Sequence, residues 1–257
     1  MPNERTIILS DLHCGHYAGL HTPRFQRGSR GQVASQDEKW KWFETALIKA
    51  SPFNKAVWVG DLVDGGGVKN SSERVLNLNE QMDCARDIIK TVGCDKNLFV
   101  YGTMVHTSTK DGLEMEDEIA KRTNGEDDPF IFSQAWFKIG KHLVDVRHAP
   151  ACSSAVPNTR ANPILRERMA NEQWGMKGLQ PLADLYLRGH LHYKFTAGSP
   201  GVWQGWNLPA LQSPNTKFGR RLSNAVDVGF SLIEANDNWP IYEIYEAPIC
   251  QEKVLNW

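Results

Sequence analysis

Residues 6–13 have the sequence TIILSDLH, a short apolar run that ends in a carboxylate and an imidazole. The run predicts a buried β-strand, and the alternation around Leu12 predicts that Asp11 and His13 project to the same side at its end. Two later apolar runs end similarly, in GDLVD at residues 60–64 and GHLH at residues 189–192. Because parallel strands bring their C-terminal ends to one edge of a sheet, these side chains are expected to converge. Oxygen and imidazole ligands suit hard to borderline divalent metals, so the pattern predicts a two-metal hydrolase.

The chain length and charge set limits on the whole molecule. A length of 257 residues fits one well-buried domain, so we expect a single domain over residues 1–257. Lys and Arg number 29 against 30 for Asp and Glu, which gives no global signal for a polyanionic partner. However, residues 12–36 and 185–226 contain no acid and carry several basic residues. Beside a metal site they favour a phosphate-bearing substrate, although solvated loops that lack acids are an equal alternative.

The cysteines and the N-terminal residues bear on the cellular compartment in which the protein is expected. The five cysteines are scattered and include no CxxC pair, so neither a disulfide framework nor a thiolate zinc site is indicated. The first residues show no signal-peptide pattern, and no apolar run approaches the roughly 20 residues that span a membrane. We therefore expect a soluble, cytoplasmic protein with no membrane partner.

Strands and helices alternate in the first half of the chain. Apolar runs predict strands at residues 55–59, 97–101 and 185–187, and helical spacing predicts helices at residues 37–50 (with Asp37 as the cap), 79–92, 114–122 and 160–171. Turn residues predict one hairpin from residues 130–139 and 142–146, and a closing hairpin from residues 226–235 and 241–246. This order predicts a mixed sheet or a pair of packed sheets with helices outside.

The motifs, taken in order, resemble a known family. DxH at residues 11–13, GDxxD at residues 60–64, a Gly-led motif at residue 102, a lone His148 and GHxH at residues 189–192 are similar to the calcineurin-like metallophosphoesterase superfamily. The resemblance covers residues 11–192 and implies an α/β (α+β) fold, a four-layer αββα sandwich of two packed mixed β-sheets flanked by helices. In general style, with no motif behind the likeness, the chain is also similar to small phosphoesterases of phages and prophages.

The resemblance implies a metal-ligand set and the cofactors. Asp64 is expected to orient a ligand rather than to bind metal. We expect two divalent metal ions, with manganese favoured and iron, zinc or nickel as alternatives. In the implied arrangement Asp11, His13 and His192 hold the first metal, Asp61 bridges the two metals, and His148 and His190 hold the second.

The third motif departs from the family pattern. The family usually has Gly-Asn-His followed by an acid, with the Asn as ligand and the His beside the leaving group. Here residues 102–106 are GTMVH, so Thr103 takes the ligand position and His106 arrives three residues later. We expect His106 to act as the catalytic acid; the alternatives are that it replaces the Asn as ligand or is an uninvolved loop residue.

Further residues are candidates for substrate contacts. Arg220 and Arg221 match the geometry of non-bridging phosphate oxygens, although an exposed basic pair is at least as good an interpretation. Four aromatic residues follow the GHLH motif, namely Tyr193, Phe195, Trp203 and Trp206. They are candidates to stack nucleobases, although aromatic residues in such a segment more often fill the core.

The leading hypothesis is therefore a dinuclear metal-dependent phosphoesterase that uses a metal-bridging hydroxide. Its expected partner is a phosphate ester, with a phosphodiester such as a nucleotide or nucleic acid preferred. The alternatives are a phosphomonoesterase or protein phosphatase, and a non-catalytic scaffold that keeps the fold. The sequence gives no indication of the oligomeric state.

Overall fold

The computed structural model describes residues 4–67, 72–108, 113–150, 159–214, 216 and 226–248. In these residues the chain forms eleven strands, five α-helices and one short 3₁₀-helix (Pro23–Phe25). The strands are β1 (Arg5–Leu9), β2 (Lys55–Val59), β3 (Lys96–Val100), β4 (Ile131–Phe132), β5 (Ala135–Ile139), β6 (His142–Arg147), β7 (Leu185–Arg188), β8 (Phe195–Ser199), β9 (Trp203–Asn207), β10 (Gly229–Glu234) and β11 (Ile241–Glu246). The helices are α1 (Arg30–Ala50), α2 (Leu78–Val92), α3 (Met104–Thr107), α4 (Met115–Asn124) and α5 (Asn162–Met176).

The first sheet has the strand order β11-β10-β1-β2-β3-β4. Strands β1 to β4 are parallel, while β10 is antiparallel to both β1 and β11. In the register of the sheet, Ile8 lies between Val57 of β2 and Ser231 of β10. The parallel strands therefore direct the residues that follow them to one edge of the sheet.

The second sheet has the strand order β5-β6-β7-β9-β8. Its three central strands, β6, β7 and β9, are parallel, and β5 and β8 are antiparallel edge strands. The residues after β6 and β7 consequently lie at one edge of this sheet as well.

Two hydrophobic cores define four layers. One core joins the first sheet to α1, α2 and α4, and includes Trp58, Phe43 and Ile88. The other lies between the two sheets, where Val59 and Leu187 are both fully buried. Helix α5 packs on the outer face of the second sheet, against β7 and β9. The predicted αββα sandwich with two mixed sheets is therefore confirmed. The single domain over residues 1–257 stays a prediction, since part of that range lies outside the described residues.

The predicted start of the first long helix is wrong. Helix α1 begins at Arg30, seven residues before Asp37, and its cap is Ser29. The Ser29 side chain accepts from the backbone N–H of Gln32, whose side chain accepts from the backbone N–H of Ser29. This reciprocal pair stabilises the helix start, so the first turns form although they carry little apolar periodicity.

The predicted strand over residues 130–139 is also wrong, because the chain changes sheets within it. Ile131 pairs with Phe99 of the first sheet, whereas Ala135 pairs with Val146 of the second. Alternation of apolar residues shows that a segment is extended but not which sheet it joins. The turn at Gly140 and the closing hairpin of β10 and β11 are confirmed.

Substituting Gly205 tests the contact between α5 and the second sheet. A Cβ at Gly205 would come within 2.2 Å of the Ile164 side chain, which is fully buried. We expect Gly205→Ala to lower the free energy of unfolding by about 1–3 kcal/mol, measured by urea denaturation. Gly31→Ala in α1 is the control, since a Cβ there meets nothing within 4 Å. Equal stability of the two variants would contradict this packing.

Candidate metal centre

The six predicted His and Asp ligands follow strands whose C-terminal ends face each other across the two sheets. Each sheet supplies three of them. From the first sheet come Asp11 and His13 after β1 and Asp61 after β2, and from the second come His148 after β6 and His190 and His192 after β7.

Five of these six residues have a left-handed backbone conformation. Their φ angles are 54° at Asp11, 46° at His13, 51° at Asp61, 68° at His190 and 54° at His192. Within the described ranges, Phe130 is the one other residue besides glycine with a positive φ. Such conformations cost on the order of 1–3 kcal/mol each and persist where the surroundings enforce them, often at functional sites.

Asp11 and His13 do not converge through the predicted strand alternation around Leu12. Strand alternation does not direct them, because β1 ends at Leu9 and both residues lie in left-handed turns beyond it. Leu12 between them is fully buried in the core, as expected.

The first ligand group consists of Asp11, His13 and His192. One ligand atom from each lies within 4.8 Å of the other two, a spacing that a single metal ion can span. Nε2 of His192 lies 3.1 Å from Oδ1 of Asp11, and Nε2 of His13 lies 3.9 Å from the same oxygen. The backbone N–H of His190 donates to the other oxygen, Oδ2, at 3.0 Å, which fixes the carboxylate.

The second ligand group consists of Asp61, His148 and His190, again with ligand atoms within 4.8 Å of one another. Nε2 of His148 lies 3.1 Å from Oδ2 of Asp61, and Nδ1 of His148 faces the carbonyl oxygen of Val59 at 2.7 Å. The same Oδ2 of Asp61 lies 3.9 Å from Nε2 of His13 in the first group. Asp61 therefore stands between the two groups, where a bridging carboxylate would lie.

The chemistry of this donor set fits divalent cations. Asp11, Asp61 and Asp64 are almost completely buried, and buried carboxylates require compensating charge. In the described part of the chain, both ring nitrogens of His13 and both carboxylate oxygens of Asp64 are buried without a hydrogen-bond partner. Unpaired buried polar atoms are costly unless a ligand satisfies them, and carboxylate and imidazole donors suit manganese, iron, zinc and nickel alike.

Electrostatics couple His148 to the two carboxylates beside it. Burial lowers the pKa of His148, but Asp61 and Asp11 outweigh burial and raise that pKa to about 10. Burial would raise the pKa of Asp61, but His148 outweighs it and holds the pKa well below the usual range. Burial lowers the pKa of His13, which favours the neutral form that binds metal.

Thr103 lies against the central carboxylate. Its backbone N–H donates to Oδ1 of Asp61 at 2.7 Å, and its hydroxyl lies 3.1 Å and 3.2 Å from the two carboxylate oxygens. The hydroxyl is thus next to the second ligand group, as expected for a residue in the ligand position. Its role as a metal ligand stays a prediction.

His106 lies beside His13. The two rings are edge to face with centroids 4.6 Å apart. Nδ1 of His106 is 2.9 Å from the carbonyl oxygen of Asp64 and 3.8 Å from its Oδ1. Together with His13 and Asp61, His106 forms a third possible ligand group. This position suits a catalytic acid and a ligand alike, and the role of His106 stays a prediction.

The remaining substrate candidates divide into two sets. Arg220 and Arg221 lie outside the described residues, so their role as a phosphate clamp stays a prediction. Trp206 and Tyr193 are buried, and the Trp206 ring stacks on Tyr242 at 4.4 Å, so both fill the core. Trp203 contacts Tyr186 and Arg168 on the side of α5. The alternative that these aromatics stack nucleobases is therefore not supported.

The sequence did not single out Glu116, which ties two ligand-bearing loops together. This fully buried residue in α4 accepts from the backbone N–H of Leu62 at 2.8 Å and from that of Gly102 at 2.7 Å. Burial and then Asp61 raise the pKa of Glu116 to about 7. Its partners are backbone groups distant in sequence, so no motif could have identified it.

Comparison with family models and with curated proteins finds no match. Among solved structures, the chain is similar to Vps29 from Chaetomium thermophilum, with 10% identity, 96% of this chain and 97% of that chain covered, and a TM-score of 0.48. A predicted phosphoesterase from Streptococcus pneumoniae has 11% identity, coverages of 95% and 90%, and a TM-score of 0.42. Zinc-bound Vps29 from Entamoeba histolytica has 12% identity, coverages of 94% and 98%, and a TM-score of 0.41. Likeness at this level decides nothing about function. Separately, among the described residues no helix has the length and apolar character needed to cross a bilayer.

Metal binding is expected to release a proton from His148. A raised pKa means that His148 stabilises the metal-free fold below about pH 6.5 and loses this contribution as the pH rises through about 10. Because a ligand histidine must be neutral, binding of Mn²⁺ to chelator-treated protein at pH 8 should release about one proton from this site. Calorimetry in two buffers of different ionisation enthalpy measures this, and His148→Ala should remove the release. Binding without proton release in the unsubstituted protein would contradict the prediction.

Glu116→Gln is expected to weaken metal binding without unfolding the chain. The amide keeps the shape of the side chain but turns one acceptor into a donor that faces a backbone N–H, which loosens the loops of Asp61 and Thr103. We expect the affinity for Mn²⁺ to fall by about 10- to 100-fold in calorimetry. Glu118→Gln, a partly exposed position in the same helix, is the control. If both variants bind Mn²⁺ equally well, Glu116 has no role in positioning the ligands.

Proposed function

We propose that this protein is a metal-dependent phosphoesterase that uses two divalent cations. The observation that carries the proposal is the pair of ligand groups that meet at Asp61, one on each side of its carboxylate. Five left-handed residues at the ends of three different strands support it. The residues of the centre fit the ligand pattern of the calcineurin-like metallophosphoesterases, which the motif order resembles.

In this proposal the first group would hold one cation and the second group the other, with Asp61 shared and Thr103 adjacent to the second. Bound cations of this kind polarise phosphoryl oxygens and lower the pKa of a bound water, so that hydroxide is available near neutral pH. Manganese is the cation we favour, with iron, zinc or nickel as alternatives.

His106 supports the departure of the leaving group. Its Nδ1 faces the carbonyl oxygen of Asp64, so Nδ1 carries the proton of the neutral ring and Nε2 remains available on the other side. The Asp64 carboxylate lies 3.8 Å from Nδ1. The His106 side chain is 16% exposed while that of His13 is 4% exposed, so His106 is the more accessible ring. In this proposal Nε2, when it carries a proton, donates that proton to the leaving oxygen.

We infer that phosphodiesters are preferred over phosphomonoesters. The acid-free, basic residues 185–226 include the strand end that carries His190 and His192, which favours an anionic ester there. Arg220 and Arg221, within this range, remain the proposed clamp for non-bridging oxygens. A nucleotide or nucleic acid is the substrate class that we favour.

A non-catalytic scaffold is the less favoured candidate. Its support is the altered third motif, in which Thr103 stands in the ligand position. A scaffold, however, has no need of five strained residues that bring three histidines and two carboxylates together, because strain of this kind persists where function requires it.

Substitution of His106 distinguishes the acid role from the ligand role. For a diester with a poor leaving group, such as an alkyl ester, we expect His106→Ala to lower kcat by at least about 100-fold. A 4-nitrophenyl ester needs little protonation and should lose much less. Val105→Ala, at an exposed neighbouring position of the same helix, is the control.

Three outcomes would change these assignments. Equal losses on both esters, together with weaker Mn²⁺ binding in calorimetry, would make His106 a ligand instead of an acid. Faster hydrolysis of the matching monoester would correct the substrate class. Absence of metal-stimulated hydrolysis of any ester would reject the phosphoesterase itself.

A further inference from the structure

An open cleft of about 570 Å³ lies beside the metal centre. Its lining includes Tyr101, Met104, Glu114, Ser133 and Arg147, which come from both sheets and from the loops between them. A volume of this size is typical of sites for small organic ligands.

The cleft adjoins the second ligand group directly. Gly102 and Ala149 line it, and they neighbour Thr103 and His148 in the chain. A Cβ at Gly102 would lie 2.2 Å from Oδ1 of Asp61, so the backbone at this edge of the cleft touches the central carboxylate. A molecule with its phosphorus at the centre can therefore place a second group in the cleft.

Helix α3 lines the cleft with one face and carries His106 on the other. Met104 and Thr107 face the cleft, three residues apart on one side of this single turn. His106 is on the other side, where its ring meets His13 and Asp64. The leaving group at His106 and the group in the cleft are consequently two different substituents, which is the geometry of a phosphodiester.

The charges in the cleft indicate a neutral occupant. The guanidinium of Arg147 is paired with Glu167 at 2.6 Å, so its charge is already balanced. Glu114 lies in the cleft with a carboxylate that accepts from the Ser108 hydroxyl. A second phosphate would be repelled there, whereas a group that donates hydrogen bonds would be favoured.

The apolar side chains indicate a flat ring. Met104 is 80% exposed, so its thioether is available for contact, and the aromatic residue Tyr101 also lines the cleft. Thioether and aromatic surfaces both pack well on flat rings. A nucleobase combines such a ring with hydrogen-bond donors at its edge.

We propose that this cleft binds the nucleoside that stays esterified to phosphorus during hydrolysis of a phosphodiester, an inference that rests on the proposed function. In the reaction, the oxygen of water forms a new bond to phosphorus and the bond from phosphorus to the leaving oxygen breaks. The leaving oxygen takes a proton from His106, one proton of water is returned to His106 through solvent, and the second proton of water stays on the product phosphate or passes to solvent. The products are an alcohol and a nucleoside monophosphate.

Two kinds of substrate with the same leaving group test the proposal. Methyl 4-nitrophenyl phosphate and the 4-nitrophenyl phosphodiesters of thymidine and adenosine all release 4-nitrophenolate and differ only in the retained group. We expect the better nucleoside ester to exceed the methyl ester in kcat/KM by about tenfold or more, since base stacking is of that order. In Met104→Ala this ratio should fall to a few-fold, mainly through KM. The control Met169→Ala, on the exposed face of α5, should keep it.

The outcomes separate the two proposals. Metal-stimulated release from all esters with a ratio near one in the unsubstituted protein would overturn the nucleoside cleft and leave the phosphoesterase intact. An unchanged ratio in Met104→Ala would also overturn the nucleoside cleft, because the Met104 side chain would then make no contact with the nucleoside. Met104 is exposed, so its truncation should leave the chain folded and the comparison valid. Release from none of the esters would reject the proposed function first.

Discussion

The Asp61 carboxylate is contacted from both sheets, and these contacts determine where the other ligands can lie. Its Oδ2 faces His13 of the first sheet and His148 of the second, while the backbone N–H of Thr103 holds its Oδ1. The backbone that follows β3 can lie this close to the Asp61 carboxylate only because residue 102 is glycine. Contacts from both sheets hold the carboxylate in one orientation, which favours a preorganised centre.

Buried negative charge explains the other features of the centre. Asp11, Asp61 and Asp64 lie in one buried region, and in the described residues Arg74, 3.6 Å from Asp64, is the one arginine or lysine paired with any of them. A protonated His148 between Asp11 and Asp61 balances part of this charge in protein stripped of metal. Divalent cations bound by these residues would balance it more completely, and their binding would offset the strain of the left-handed residues.

The sequence was sufficient for the layers, for most of the strands and for the approach of the six His and Asp side chains to one another, because apolar runs that end in Asp or His carry that information locally. It did not predict β8 and β9. It was insufficient where the structure depends on contacts that the local sequence pattern does not contain. Helix α1 starts at a capping pair that hydrophobic periodicity does not include, and the segment over residues 130–139 changes sheets without a change in its pattern. Glu116 bonds to backbone N–H groups of two loops, which no side-chain motif records. The left-handed conformations of Asp11 and His13 could not be predicted for the same reason, since tertiary contacts impose them against local preference.

The division of the six predicted ligands between two sheets has a consequence for how the chain folds. Asp11 and His192 meet across 181 positions of sequence, and each sheet alone carries only half of the donors. During synthesis the first sheet's ligands emerge long before their counterparts, and loop closure over such a distance is slow. A cation that needs donors from both sheets would therefore bind only after the two sheets have packed together, so it would stabilise the assembled fold without nucleating it.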